Sequence, residues 1–340
     1  MKKIAVVILN WNGRKMLERF LPSVVKYSSD VAEVIIADNG STDDSLDFLA
    51  KQYPSLRIVA MDKNYGFAGG YNKALSQISA DYYVLLNDDV EVTEHWIEPV
   101  IEQMESHPQV AVCQPKLRMF DQKDLFEYAG AAGGFIDSYG YPFCRGRMFN
   151  DIETDKGQYD DACNVFWATG AALFVKVAVW NQLGGLDEDF FAHMEEVDFC
   201  WRVQNSGYRV QYCPQSIVYH VGGGTLPKSS PTKTYLNFRN NLAMLYKNLP
   251  EDRYKKIIRR RMILDGVASL KFLLDGHPKE LQAVYKAHKD YRKMLPKLKI
   301  KREALQHSEV KTIYTGKLLV DYYLKKRKKF DQLNFVVDNK

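Results

Sequence analysis

The chain has 340 residues, 46% apolar and 26% charged, the proportions of an ordinary folded protein, which excludes a disordered or fibrous chain. Its net charge of +5 hides a split: residues 1–224 sum to −12 (19 Lys and Arg, 31 Asp and Glu) and residues 225–340 to +17 (28 and 11). An asymmetry of that size points to two partners or two jobs. The five cysteines form no C-x-x-C pair and read as the reduced thiols of a cytoplasmic protein. No leader peptide is expected, because Ile4–Leu9 runs straight into Asn10-Trp11-Asn12. No run approaches the ~18 apolar residues that would span a bilayer.

In chain order, Ile4–Leu9 is an aliphatic run suited to a strand buried on both faces, followed by a helical pattern over Lys15–Tyr27. Glu33–Ala37 is a second strand, and Ser41-Thr42-Asp43-Asp44 reads as a capping box opening a helix to about Tyr53. Leu56–Met61 is a third strand, and Gly66–Gly70 a glycine turn into a helix. Tyr82–Leu86 is a fourth strand, stopping at Asn87-Asp88-Asp89. A helix over Glu94–Ser106 and a strand at Val110–Cys113 continue the alternation. The pattern predicts an α/β fold with a mostly parallel sheet flanked by helices. Residues 118–165 read as a long loop or small insertion. Gly170–Val175 and Arg209–Tyr212 are later strands, flanking an acidic helix near Glu195–Gln204. From about residue 233 the texture becomes basic and helical. Two parts are expected: residues 1–232 as a catalytic domain and residues 233–340 as a basic, mainly helical region.

Ligands of open parallel sheets bind beyond the carboxyl ends of the strands. Three such ends are polar: Asn10 to Gly13, Asp38 to Ser41 and Asn87 to Asp89. Any one of them is also ordinary turn chemistry. Oxygen donors two apart at a strand end suit Mg²⁺ or Mn²⁺, and hence a diphosphate.

The ordered set Val7–Gly13, Ala37–Asp43, Asn64–Asn72, Leu85–Asp89, Gly184–Glu188, Glu195–Asp198 and His220 with Gly223 resembles, over about residues 1–240, the family 2 glycosyltransferases of the GT-A fold. The rhamnosyltransferase-like branch is the nearest pattern. The resemblance implies a GT-A nucleotide-diphospho-sugar transferase. Asp38 then reads the base of the nucleotide-sugar, and Asn10, Asn64, Gly66, Asn72, Asn87 and Asp88 line the donor. Asp89 and His220 hold Mg²⁺ or Mn²⁺. The acid pair Glu195-Glu196 supplies the catalytic base, Glu196 being favoured and Glu195 left open. Trp167, Thr169, Phe191 and His193 lie on the acceptor side. The glycines at 66–70 bring N–H groups near phosphate. The reaction implied is inverting transfer to a saccharide hydroxyl in cell-surface polysaccharide assembly.

The basic third adds Tyr235, Arg239 and Asn240, a Tyr-x-x-x-Arg-Asn pattern of the same branch. Arg253–Arg261 holds six basic residues in nine around Ile257 and Ile258, and Leu318–Phe330 joins apolar residues to Lys325–Lys329. Such helices suit an anionic membrane surface, or form a solvated face packed on the catalytic domain. No nucleic-acid motif accompanies the charge. A polyprenyl-diphosphate-linked acceptor would account for it, placing a cytoplasmic protein peripherally on the inner membrane face. Two rivals remain: a sugar-1-phosphate nucleotidyltransferase and a non-catalytic membrane-associated scaffold.

Overall fold

A computed structural model describes residues 2–222 and 230–337. Its first half builds β1 (Ile4–Asn10), α1 (Arg14–Ser28), β2 (Glu33–Asp38), α2 (Ser45–Gln52), β3 (Arg57–Ala60), α3 (Gly66–Leu75), β4 (Tyr82–Asn87), β5 (Val90–Val92), α4 (Glu98–Ser106) and β6 (Val110–Met119). Short strands β7 (Gly134–Asp137), β8 (Pro142–Cys144), β9 (Arg147–Met148), β10 (Asp151–Ile152) and β11 (Cys163–Asn164) follow. Then come β12 (Ala172–Lys176), α5 (Val177–Gln182), α6 (Glu195–Asn205), β13 (Arg209–His220), α7 (Pro231–Asn248), α8 (Tyr254–Leu274), α9 (Pro278–Glu303) and β14 (Ile313–Tyr314).

The main sheet has nine strands in the order β11-β13-β6-β12-β4-β1-β2-β3, with β5 on β13. It is mixed rather than mostly parallel: β1, β2, β3 and β4 run together, but β12 lies antiparallel between β4 and β6. Side chains alternate across β1, so Val6 and Ile8 pack with Leu17, Leu21 and Trp96 on one face. Ala5 and Val7 join Tyr71, Leu173 and Trp201 on the other. The register sets Asn10 opposite Asp38 and Leu9 opposite Asn87. Three polar strand ends therefore meet at one edge.

The segment at 118–165, expected as a long loop or small insertion, is an insertion that supplies four strands of a second, five-stranded sheet, β10-β9-β8-β7-β14. Its strands have only two to four residues, too short to show a period. One partner, β14, comes from far along the chain and pairs Ile313 with Ile136. Phe330 and Phe335 follow it and pack on Phe135, so the region after residue 233 shares a core with the first part. Within the basic segments, Ile257, Ile258, Leu318 and Tyr322 are buried. All five cysteines are buried and free. Among the described residues no helix is long and apolar enough to cross a membrane.

Candidate active site

The β1 and β2 ends are wired to each other. Asn10 donates from Nδ2 to Asp38 Oδ1 (2.8 Å) and Ser41 Oγ (3.0 Å), and the Ser41 amide donates to Asp38 Oδ2 (3.0 Å). Both oxygens of the buried Asp38 are thus engaged, with further lone pairs open to a base edge. The expected capping box does not form. Ser41 Oγ instead accepts the Asn12 amide, and Asp43 accepts those of Arg14 and Ser45, so α2 begins only at Ser45. Side chains that commonly cap are here drawn across to the loop after β1.

Asn64 and Asn72 are placed as positioning groups. Asn64 Oδ1 accepts from Gly66 N (2.7 Å) and from Asn39 Nδ2 (3.1 Å). Asn72 exchanges hydrogen bonds with the Leu186 backbone, Nδ2 to O at 2.8 Å and N to Oδ1 at 3.0 Å. The glycines at 66–70 lie inside α3 rather than in a turn before it. The Phe191 carbonyl accepts from Phe67 N (2.7 Å) and Ala68 N (3.3 Å). These N–H groups, expected to approach phosphate, instead tie α3 to the loop before α6. Gly66 has φ +73°, and a Cβ there would stand 2.6 Å from the Phe191 ring, so no larger residue fits.

At the β4 end, Asp89 and His220 converge, Oδ1 to Nε2 at 3.0 Å. Glu127 lies behind, its Oε1 3.4 Å from His220 Nδ1. Burial alone would lower the His220 pKa, but the two carboxylates push it up to about 10. Burial would raise Asp89, and His220 more than offsets that, holding it below the usual carboxylate range. Asp88, next to both, is pushed up to about 7 by burial and by the Asp89 charge. Asn87 Nδ2 lies 3.5 Å from His220 Nε2. One carboxylate, one imidazole and a carboxylate behind the imidazole form a donor set that fits a divalent cation once the Nε2 facing Asp89 has given up its proton. Among the described residues no three His, Cys, Asp or Glu side chains gather for a metal. Further ligands would therefore come from a diphosphate and water. Gly223 of the expected motif lies outside the described residues.

The acid pair opens α6. Glu195 is buried and Glu196 partly exposed, and Oε2 of each lacks a partner. Burial raises both pKa values, strongly for Glu195, where the Glu196 charge adds to it, and to about 7 for Glu196. Burial thus favours the protonated form of Glu195, and Glu196, close to neutrality, is poised to take a proton. The approach to α6 is strained: Phe191, His193 and Met194 have φ of 65°, 69° and 72°, in the region that side chains avoid. Asn240 on α7 holds it. Its Nδ2 lies 2.9 Å from Phe190 O, 2.9 Å from Ala192 O and 2.7 Å from His193 O. Arg239 adds bonds to Asp189 O (3.0 Å) and Phe190 O (3.1 Å), and Tyr235 OH donates to Asp290 Oδ2 (3.0 Å).

Two residues expected on the acceptor side, Trp167 and Thr169, are buried. Trp167 is buried, its Nε1 donating to Phe135 O (3.0 Å) and its ring flat on Gly134. Thr169 is buried between Gln114 and Gly130. In both, polarity that suggested a ligand serves a backbone partner. Phe191 is 46% exposed. His193 keeps a buried Nε2 without a partner and is neutral, its pKa lowered to about 4 by burial and by Lys233. Sequence reasoning gave no role to Glu127, which lies in an irregular stretch with no local signal. It also passed over the exposed Trp11, although an aromatic between two Asn at a strand end was a visible one.

Residues 5–171 match the family model described as glycosyl transferase family 2. The chain belongs to that family. An N-acetylglucosaminyl-diphospho-decaprenol L-rhamnosyltransferase of Mycobacterium tuberculosis is 26% identical over 235 residues, covering 64% of this chain and 75% of that one. The structure of GalNAc-T7 with UDP, GalNAc and Mn²⁺ superposes at a TM-score of 0.60 with 15% identity, covering 86% of this chain, which spans 55% of that one. Staphylococcus aureus TarS 1–349 with UDP-GlcNAc gives a TM-score of 0.55 at 16% identity, covering 88% of this chain and 87% of that one. The fold is GT-A, and the protein is a rhamnosyltransferase-like glycosyltransferase.

Proposed function

We propose that the enzyme transfers a sugar, with inversion, from dTDP-rhamnose or a UDP-sugar to a hydroxyl of a polyprenyl-diphosphate-linked saccharide in cell-surface polysaccharide assembly. The observation that carries this reading is Glu196: partly exposed, without a partner on Oε2, and raised to about 7 at the end of a clamped loop. Glu196 accepts the acceptor's hydroxyl proton as that oxygen bonds to the anomeric carbon, and the bond from that carbon to the nucleoside diphosphate breaks. Asp38 and Asn10 bind the donor base and ribose side, and Asn87 and Asp88 face the sugar phosphate. Phe191 and His193 receive the acceptor. Asp89 and His220 would hold a divalent cation, which when bound would neutralise charge on the leaving diphosphate.

The lipid-linked acceptor is proposed from the relative named for a diphospho-decaprenol substrate and from the +17 charge of residues 225–340. Residues 1–232 then act as the catalytic domain and residues 233–340 as the region facing the cytoplasmic leaflet. The test is a screen of nucleotide-sugars for thermal stabilisation with and without Mg²⁺ or Mn²⁺, followed by transfer assays with the stabilising donor. Metal-dependent stabilisation by one dTDP- or UDP-sugar, with nucleoside diphosphate released on transfer, is expected. Pyrophosphate release from a nucleoside triphosphate plus a sugar phosphate would overturn the reading.

A further inference from the structure

α8 carries two kinds of surface along one line. Its inner face is fixed: Ile257, Ile258, Arg261 and Asp265 are buried, Asp265 meets His288 of α9 at 3.1 Å, and Phe272 packs on Phe238 of α7. The opposite face holds Ile263, Val267, Leu270 and Leu274, which fall within about 60° of arc at ~100° per residue. All four are exposed, from 58% for Leu270 to 87% for Leu274. This is an apolar stripe of about 17 Å along the helix at ~1.5 Å per residue. Isolated exposed aliphatic residues need no explanation, but four in line on one helix do.

What continues the stripe identifies its occupant. Towards the N-terminus the same face carries Lys256, Arg259 and Arg260, all exposed. The tail comes up beside the other end, where Tyr323 is within electrostatic reach of Lys271. There the exposed Tyr323 and Leu324 run into exposed Lys325 and Lys326. Lys256, Arg259 and Lys326 make no salt bridge among the described residues. The one acid on the middle of α8, Asp265, is buried against Arg261 and His288. A second copy docked through this face would bring like charges together. An apolar strip set among cations of one sign instead matches the boundary between lipid headgroups and acyl chains in an anionic leaflet.

We infer that the outer face of α8, with Tyr323 and Leu324, lies in the surface of an anionic bilayer, with Ile263, Val267, Leu270 and Leu274 inserted among the acyl chains. This rests on the membrane-facing reading of the basic region and names the residues that would do it. Charge attracts the face, and the stripe sets its depth and orientation.

The experiment is co-sedimentation of the full chain with vesicles of phosphatidylcholine alone or with 30–40% phosphatidylglycerol, roughly the range in which a few cations bind measurably. Ile263→Glu/Leu270→Glu is compared with wild type, and melting temperature and donor-induced stabilisation serve as folding controls. Because the five native thiols are buried, Val267→Cys carries an environment-sensitive fluorophore. Expected are binding to anionic vesicles only, a loss of about tenfold or more in the double variant, and a blue shift of the label on binding. Equal binding by the double variant with no shift at position 267 would overturn the α8 assignment while leaving a charge-held membrane contact. No binding by wild type would overturn both readings. A dimer in sedimentation velocity that the double variant abolishes, without vesicle binding, would make the stripe a protein interface instead.

Discussion

Replacing Asn240 with Ala tests whether the C-terminal region holds the catalytic base. The buried Asn240 amide offers two N–H protons to three loop carbonyls at 2.7–2.9 Å. A neutral hydrogen bond contributes about 1 kcal/mol net, and a buried carbonyl left without a donor costs about 1–3 kcal/mol. Losing the amide should therefore weaken the loop by about 2–4 kcal/mol. The loop holds three non-glycine residues at positive φ, each costing about 1–2 kcal/mol. The two quantities are of similar size, so the strained form loses its dominance once the amide is gone. At 1.36 kcal/mol per tenfold, about 3 kcal/mol becomes a loss of roughly 100-fold in kcat. The assay is nucleoside diphosphate release across pH, with donor KM and melting temperature measured in parallel. Expected are a large fall in kcat, a donor KM within about threefold, and a pH midpoint moved below 7 as water reaches Glu196. Asn240→Asp, of equal size but offering carboxylate oxygens to carbonyls, should do no better. Wild-type kcat and an unmoved pH midpoint in either variant, with only the melting temperature lowered, would show that Asn240 merely stabilises the fold.

Glu196→Gln should reduce transfer by about a thousandfold or more while nucleotide-induced stabilisation persists; Glu195→Gln, which mimics the protonated form that burial favours, should stay within about tenfold. If the two variants exchange these outcomes in single-turnover assays, Glu195 is the base. Because Glu196 is raised to about 7 from an ordinary 4.5 and acts as the carboxylate, kcat should climb as pH passes through 7. Stability should run the other way, since the folded state holds this proton more tightly: the contribution is complete below about 4.5 and lost as pH rises through 7, which urea unfolding at pH 5 and 8 would detect. Lys247→Met should cost about 1–3 kcal/mol in urea unfolding, because Lys247 is buried 2.5 Å from Asp187 and 2.9 Å from Asp198 and each carboxylate would lose one of its two cations, keeping Lys301 and Arg202 respectively.

The parts of the fold that follow a local rule were legible in the sequence. The four parallel strands announced themselves as apolar runs, and their polar ends at Asn10, Asp38 and Asn87 predicted the edge where the site lies. The second sheet was not legible, because strands of two to four residues have no period and β14 pairs with β7 across most of the chain. The same limit explains the site. Asp89 and His220 were named from the resemblance, but Glu127 behind them is an isolated acid in an irregular stretch. The resemblance puts Trp167 and Thr169 on the acceptor side; Trp167 Nε1 donates to Phe135 O and the Thr169 hydroxyl accepts from the Ala171 amide, so both polar groups are satisfied inside the core. Asn64 and Asn72, expected beside the donor, bond Gly66 N and the Leu186 backbone, because an Asn that reads as a ligand contact from its type bonds a backbone turn just as well.

The basic charge of residues 225–340 divides between two tasks, and the structure separates them. Some of its cations face the acidic half directly: Lys247, Lys297 and Lys301 bind Asp187, Asp189 or Asp198. These carboxylates belong to the turn at 187–189 and to α6, the two elements on either side of the strained loop. Arg239 and Asn240 bind that loop's carbonyls between them. Burial makes the contacts of Asp198 sensitive to geometry, because this enclosed carboxylate is held jointly by Lys247, Arg202 and Asn248. The match to the family model ends at residue 171, before the acid pair and well before α7. The strained approach to Glu196 is thus held by the part of the chain beyond that match, so the orientation of this proposed base depends on how α7 and α9 dock. Cations on the outside of α8 do not share in this network. A change there can alter where the enzyme binds without disturbing the base, whereas a change on the inner faces of α7 and α9 cannot leave the base untouched.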